Sequence, residues 1–330
     1  MKKEYTGVDI FKICAAFGVI AIHTDMPFLK VVGRLSVPFF AIISSFFFFK
    51  HFFSLDNDIE KKKYLFKFEK RMGLLILGWQ IIYLPLAIEY FKRLVINQHN
   101  SIIKYLYYFV YPGYTNANGW GQSWYLIAML IGIPVFLFLI KYCHLYGMFL
   151  ISGMLEIYYI AANEFGFLTK LPVWGTLYFP RLIVYILIGY LFAKNSAKLT
   201  NFKEKNILIS LLIMFFIFII ENYLIKLCGG LSNSEEVIST VPTSIILVLF
   251  SLKYSPKLKM NALMIRNCST FIYCAQNYPL QLFIKKCSRF LMSSVIAEVV
   301  FFFFVSLTCI ILFIVYSGLA KRYRVFRYLV

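Results

Sequence analysis

Residues 7–23 read GVDIFKICAAFGVIAIH, and the fold follows from them. Only Asp9, Lys12 and His23 interrupt the apolar run. As a helix it extends about 25 Å at about 1.5 Å per residue, close to the thickness of a bilayer's hydrocarbon core. With a first span over 8–26, similar runs follow at 31–49, 71–91, 121–140, 145–163, 175–193, 206–225, 237–252, 268–284 and 291–318. Together they predict an all-α membrane protein, a polytopic bundle of about ten transmembrane helices. Strands of a membrane barrel alternate apolar and polar residues over about ten positions, and these runs do not.

The composition agrees. Of 330 residues, 61% are apolar, 19% aromatic and only 15% charged, whereas soluble domains carry about 25% charge. The longest polar stretch, about 50–70, is too short to fold alone, so 1–330 is read as a single membrane domain. Segment 101–114, SIIKYLYYFVYPGY, reads as an interfacial or re-entrant helix, because Tyr favours the headgroup zone. No small-residue cleavage site follows a short apolar region, so the first span is expected to remain as an anchor. The seven cysteines form no CxxC pair, and the four histidines lack ligand spacing, so no disulfide or metal site is expected.

The formal net charge of +19 is read as a topology signal. With the N-terminus inside, the inner segments hold 22 of the 34 basic residues, among them Lys2, Lys3, Lys259 and the cluster from Lys61 to Arg71. The outer segments hold 10, including Arg289, and Lys12 and Arg181 lie within spans. That bias predicts both termini on the cytoplasmic side and an even number of spans. Basic residues placed between apolar runs argue against nucleic-acid binding.

Ionisable groups at membrane depth are costly, so each is a site candidate. Asp9 and Lys12 are three apart and can pair on one helical face. Lys12 and His23 are eleven apart, about three full turns, so they share a face about 16 Å apart along the axis. Two readings stay open for this stripe. Asp9 and Lys12 are either interfacial residues reaching water or part of a site, and His23 is either a buried histidine satisfied by a neighbouring helix or a reactive group. Arg34 opens the second span, which carries Pro38, Ser44 and Ser45. Lys70 and Arg71 lie at the inner membrane edge, where a basic cluster fixes topology, meets anionic lipid or grips phosphate. Arg181 follows Pro180 near an outer span end, and Glu89, Glu156 and Glu221 are read as interfacial. No P-loop, GxGxxG or GxSxG motif appears.

Six blocks then fall into a known order. They are GVDIFKICAAFGVIAIH at 7–23, RLSVPFFAIISSFFFF at 34–49, KRMGLLILGWQIIYLP at 70–85, SWYLIAMLI at 123–131, FPRLIVYILIGYLFAK at 179–194 and RNCSTFIYCAQNYPL at 266–280. In this order they resemble the acyltransferase-3 family of integral membrane acyltransferases across nearly the whole chain. Three positions depart from the family pattern. Lys12 replaces the usual arginine, which keeps the charge and loses the bidentate fork. Ser44-Ser45 stands for Ser-Gly, and Gln276 lies at or near the place of a late histidine. His23 is retained.

The resemblance implies transfer of an acyl group, usually acetyl, from cytoplasmic acyl-CoA to a hydroxyl of a cell-surface or lipid-linked polysaccharide. Acetyl-CoA is then a donor substrate, and no bound cofactor is expected. His23 and Asp9 are expected to carry catalysis, with His23 a general base kept neutral by burial. Lys12, Lys70 and Arg71 are expected to meet the donor phosphates, and Arg34, Arg181 and Ser44 to orient acceptor or oxyanion. Some relatives add an extracytoplasmic hydrolase-like domain, and none is expected here. The implied partners are the membrane bilayer and a glycan or lipid-linked saccharide acceptor, and a homo-oligomer is compatible with the sequence. A Lys-, Phe- and Ile-rich, Arg-poor chain suits the plasma membrane of an AT-rich bacterium. A rival resemblance, carried by AIHT and VPFF, is to the membrane domain of vancomycin-resistance serine racemases. It implies a small-solute transporter, for instance of serine, without the racemase domain.

Overall fold

The computed structural model describes residues 5–99, 101–110, 116–171, 178–230, 236–257, 261–287 and 294–330, and among them the regular structure is entirely helical. The helices are α1 (Thr6–His23), α2 (Leu29–Gly33), α3 (Ser36–Phe52), α4 (Asp58–Phe91), α5 (Ile102–Val110), α6 (Ser123–Asn163) and α7 (Gly166–Thr169). They continue with α8 (Tyr178–Lys194), α9 (Glu204–Leu227), α10 (Thr240–Lys253), α11 (Ala262–Ala275), α12 (Asn277–Cys287) and α13 (Val295–Arg322). Lys2, Lys3, Lys259 and Arg289, four of the topology-setting charges, lie outside the described residues, as do 111–114 of the aromatic segment and the first residues of spans 175–193 and 291–318.

Six helical runs are long and apolar enough to cross a membrane: Thr6–His23, Leu29–Phe52, Asp58–Asn97, Ser123–Asn163, Glu204–Leu227 and Val295–Arg322. The protein is therefore a polytopic helical membrane protein. The difference from the expected ten has local causes. The 41-residue α6 takes up two expected spans, joined through His144, whose backbone (φ 52°, ψ −176°) breaks the helical path. Helices α8, α10, α11 and α12 have 17, 14, 14 and 11 residues, short of the roughly 20 that a perpendicular span needs. Expected span 268–284 is divided at Gln276 into α11 and α12.

Without a hydrophobic drive between helices in lipid, close packing depends on small residues at crossings. Gly189 of α8 shows this. A Cβ there would lie 2.5 Å from Ser45 Cβ and 2.6 Å from the Ile42 carbonyl oxygen of α3. Gly18 of α1 and Gly33 of α2 meet in the same way, since a Cβ on Gly33 would lie 2.3 Å from the Gly18 carbonyl oxygen. Helix α8 thus settles against both α3 and α6. Around it Phe39, Phe46, Phe49, Phe136 and Tyr185 are fully buried. Leu212, Ile213 and Phe216 of α9 point outward, as expected of a face solvated by lipid tails.

One end of the bundle gathers Tyr5, Lys50, Ser196 and Lys253 around a cavity of about 230 Å³. There the Lys50 ammonium donates to Tyr5 Oη, and Thr6 Oγ1 donates to the Pro256 carbonyl at 2.9 Å. The chain's last turn is pinned inside, where Trp79 Nε1 donates to the Leu329 carbonyl at 3.0 Å. In α5, Tyr105 is buried and its hydroxyl lies 3.1 Å from the carbonyl oxygens of both Ala87 and Ala117.

The glycine contacts make an expected outcome. Gly189→Leu must separate α3 from α8, and overpacking of this kind costs about 1–3 kcal/mol or more. The variant is expected to lower the thermal midpoint of detergent-purified protein by several degrees. Gly73→Ala, where an added Cβ meets nothing within 4 Å, is expected to leave it unchanged.

Candidate functional site

Helix α1 carries the site at its two ends. At the Tyr5 end, Asp9 is buried, and Arg266 of α11 forms an ion pair with it, Nε to Oδ1 at 3.4 Å, while the Nε–H donates to the Ala262 carbonyl. The half-buried Lys12 lies within electrostatic reach of Asp9, Arg266 and Arg71, with its ammonium 5.6 Å from the Phe47 ring centroid. Four charges from α1, α4 and α11 therefore meet in one place. Their sum is two positive charges, which suits a phosphate-bearing ligand. Lys70, one position before Arg71, is exposed.

The other end of α1 holds His23, and here the geometry corrects the expectation. His23 is the last residue of the helix, and its side chain is exposed rather than buried. The buried place beyond it goes to Thr24, whose Oγ1 donates to the Ile20 carbonyl at 2.9 Å. The burial expected of this imidazole is therefore not found. Asp9 and His23 also stand fourteen residues apart on one continuous helix, about 21 Å along its axis. Asp9 therefore does not act on His23 directly, and its work is with Arg266.

Hydroxyls and amides line the middle. Ser44 Oγ lies 3.4 Å from Tyr125 Oη, and the Tyr125 ring packs against Phe40 and Tyr273. Tyr273 Oη donates to the Gln122 carbonyl at 2.7 Å. Gln276 donates from Nε2 to the Tyr273 carbonyl at 2.8 Å, while its buried Oε1 has no protein partner. Arg34 follows Gly33 and is half-buried beside the upper part of α1. An apolar cavity of about 380 Å³ flanks the same helix, lined by Cys14, Gly18, Ser36, Leu212 and Phe302 among others.

Arg181 sits elsewhere, in a second charged group. Its Nε donates to Glu236 Oε2 at 3.0 Å, and its guanidinium lies 4.5 Å from the Tyr159 ring and 5.5 Å from Trp124. Its charge is already matched, so it offers an oxyanion less than the sequence suggested. Glu156, expected at the interface, is buried. Glu221 is half-buried, and its carboxylate accepts from the backbone N–H groups of Ile238 and Ser239 before α10. Glu89 does lie at the surface, paired with Lys285 at 2.6 Å. Sequence reading missed Arg266, counted only as a loop charge, and Glu236. Arg266 carried a signal as the first residue of the sixth block. Among the described residues no group of His, Cys, Asp and Glu is arranged to hold a metal, and the seven cysteines are free.

Two amino-acid racemases of Enterococcus faecalis are similar to the chain. One is 26% identical over 294 residues, covering 79% of this chain and 39% of the racemase. The other is 30% identical over 167 residues, covering 47% of this chain and 21% of the racemase. The chain thus spans less than half the length of the curated relatives it matches. No solved structure matches it. The family model of an acyltransferase domain matches residues 5–315. With that match over nearly the whole helical bundle, the chain belongs to the acyltransferase-3 family.

Proposed function

We propose that this membrane acyltransferase is an O-acetyltransferase that moves the acyl group of cytoplasmic acyl-CoA to a hydroxyl of a cell-surface or lipid-linked polysaccharide. In this reading the chain crosses the bacterial plasma membrane ten times with both termini inside, the two halves of α6 and the shorter α8, α10 and α11–α12 each counting as a crossing. The observation that carries it is the polarity of α1. A basic cluster stands at the end that the charge bias assigns to the cytoplasm, and a histidine stands at the other.

The chemistry is a thioester exchange. Lys12, Arg71 and Arg266 hold the donor's phosphates, with exposed Lys70 at the rim. The pantetheine arm then extends along α1 across the roughly 16 Å between Lys12 and His23. His23 takes the proton of the acceptor hydroxyl as the alcohol oxygen attacks the thioester carbonyl. The C–S bond breaks, the CoA thiolate leaves with that proton, and His23 returns to its neutral form. Arg34 and Ser44 are the groups nearest this path for orienting the acceptor or the oxyanion. Arg181 acts at most indirectly, because Glu236 holds it. An exposed His23 is open to a soluble or membrane-surface acceptor.

A second reading is a small-solute transporter, favoured by the racemase that covers 79% of this chain. It predicts saturable uptake with no need for acyl-CoA.

Three outcomes follow. His23→Ala is expected to lower glycan acetylation at least about 100-fold at equal membrane abundance, read by mass analysis of the surface glycan. Full activity in that variant removes His23 from the chemistry. Lys12→Ala and Arg266→Ala are each expected to raise the apparent KM for acyl-CoA about tenfold with a smaller change in kcat. An unchanged KM removes the cluster from the donor site. Asp9→Asn is expected to act in the same direction as Arg266→Ala, and the double variant is expected to be no worse than the single ones, because the two residues work as a pair.

A further inference from the structure

The second charged group has no place in the acyl-transfer scheme. Glu236, just before α10, is bonded on both carboxylate oxygens. Oε2 accepts from Arg181 Nε at 3.0 Å and Oε1 from Tyr185 Oη at 2.7 Å. Its backbone N–H donates to Glu164 Oε1 at 3.2 Å. Arg181 is matched by Glu236 and packed between the rings of Tyr159 and Trp124. Glu156 differs. It is 7% exposed, its charged neighbours are Glu236 and Arg181, and neither of its carboxylate oxygens has a hydrogen-bond partner. With Arg181 already balanced by Glu236, an ionised Glu156 leaves a buried negative charge uncompensated.

We infer that Glu156, beside the Glu236–Arg181 pair, is a binding site for the ammonium group of a small amine, such as an amino acid or an amino sugar. A bare buried carboxylate is expensive, and the cost falls only when its charge and its lone pairs are both met. A proton meets one oxygen and creates a new donor that needs an acceptor of its own. A divalent metal needs more ligands than Glu156 supplies, and no metal-holding group exists among the described residues. A primary ammonium brings one positive charge and three N–H donors, enough for both orphan oxygens. The group also lies near an end of its helices. Arg181 is in the first turn of α8, Glu236 precedes α10, and Glu156 is two turns from the end of α6. Val237, next to Glu236, shares a buried cluster with Leu35, which follows Arg34. The group therefore lies towards the same end of the bundle as His23. The inference stands apart from the acyl-transfer reading, because neither the donor cluster nor His23 enters it.

The test uses the full chain purified in detergent, with binding followed by calorimetry and thermal shift for methylammonium, glycine and glucosamine, and with sodium and tetramethylammonium chloride as controls. Saturable binding of methylammonium, weakened at least tenfold in Glu156→Gln and absent for the controls, is expected. The glycine and glucosamine arms then distinguish an amino-acid ligand from an amino-sugar ligand by which binds more tightly. A second measurement holds even if Glu156→Gln fails to fold. A hydrophobic carbodiimide modifies buried carboxyl groups, and methylammonium is expected to protect Glu156 of the unaltered chain, read by peptide mass. No saturable amine binding, binding unchanged in Glu156→Gln, or labelling of Glu156 indifferent to amines overturns the inference and leaves Glu156 a carrier of a proton only.

Discussion

Lipid offers no hydrogen bonds, and every other feature of this chain answers to that constraint. Backbone groups must be satisfied within helices, which is why the described residues contain no other regular structure. Side-chain charges must be matched inside the protein or carried to its ends. Asp9 meets Arg266, Arg181 meets Glu236, and Glu89 meets Lys285. Helices that gain nothing from water's exclusion must be held by contact, so Gly18, Gly33 and Gly189 sit where backbones approach. Buried charged groups are few among the described residues, namely Asp9, Glu156, Glu164 and Glu236, and with buried hydroxyls and amides they mark where the molecule does something other than pack.

Those groups divide by position. The Asp9–Arg266–Lys12–Arg71 group ties α1, α4 and α11 together at one end and leaves two positive charges in excess. The hydroxyls of Ser44, Tyr125 and Tyr273 and the amide of Gln276 occupy the middle between α3, α6 and α11. His23 closes α1 at the far end. Read along one helix, the order is charged cluster, polar interior, imidazole. The Arg181–Glu236–Glu156 group stands beside that line, built from α6, α8 and the approach to α10.

How much of this was legible in the sequence depended on whether the signal was local. Apolar runs are local, so the helices fell close to where they were read, including the break near 141–144 that became the kink at His144. Span count was less legible, because a helix of 14 residues such as α10 and a divided one such as α11–α12 carry apolar runs without the length of a full crossing. Long-range pairing was not legible. Asp9 and Lys12, three apart, suggested each other, while an ion-pair partner of Asp9 came from 257 positions away at Arg266. Glu156 looked interfacial because it lies near a span end, yet tertiary packing of α8 against α6 buried it. His23 looked buried because its sequence neighbours are apolar, and the end of the helix exposed it. The family was legible because its blocks are themselves local and kept their order.

The account turns on one vectorial reaction, in which an acyl group enters from the basic end of α1 and leaves on a hydroxyl at the histidine end. Inside-out membrane vesicles with acyl-labelled acyl-CoA added to the outer medium measure this directly. The account predicts label in the glycan enclosed within the vesicles, only when this chain is present and only from the CoA thioester. Glycan without label, together with chain-dependent movement of a free solute across the same vesicles, would contradict it.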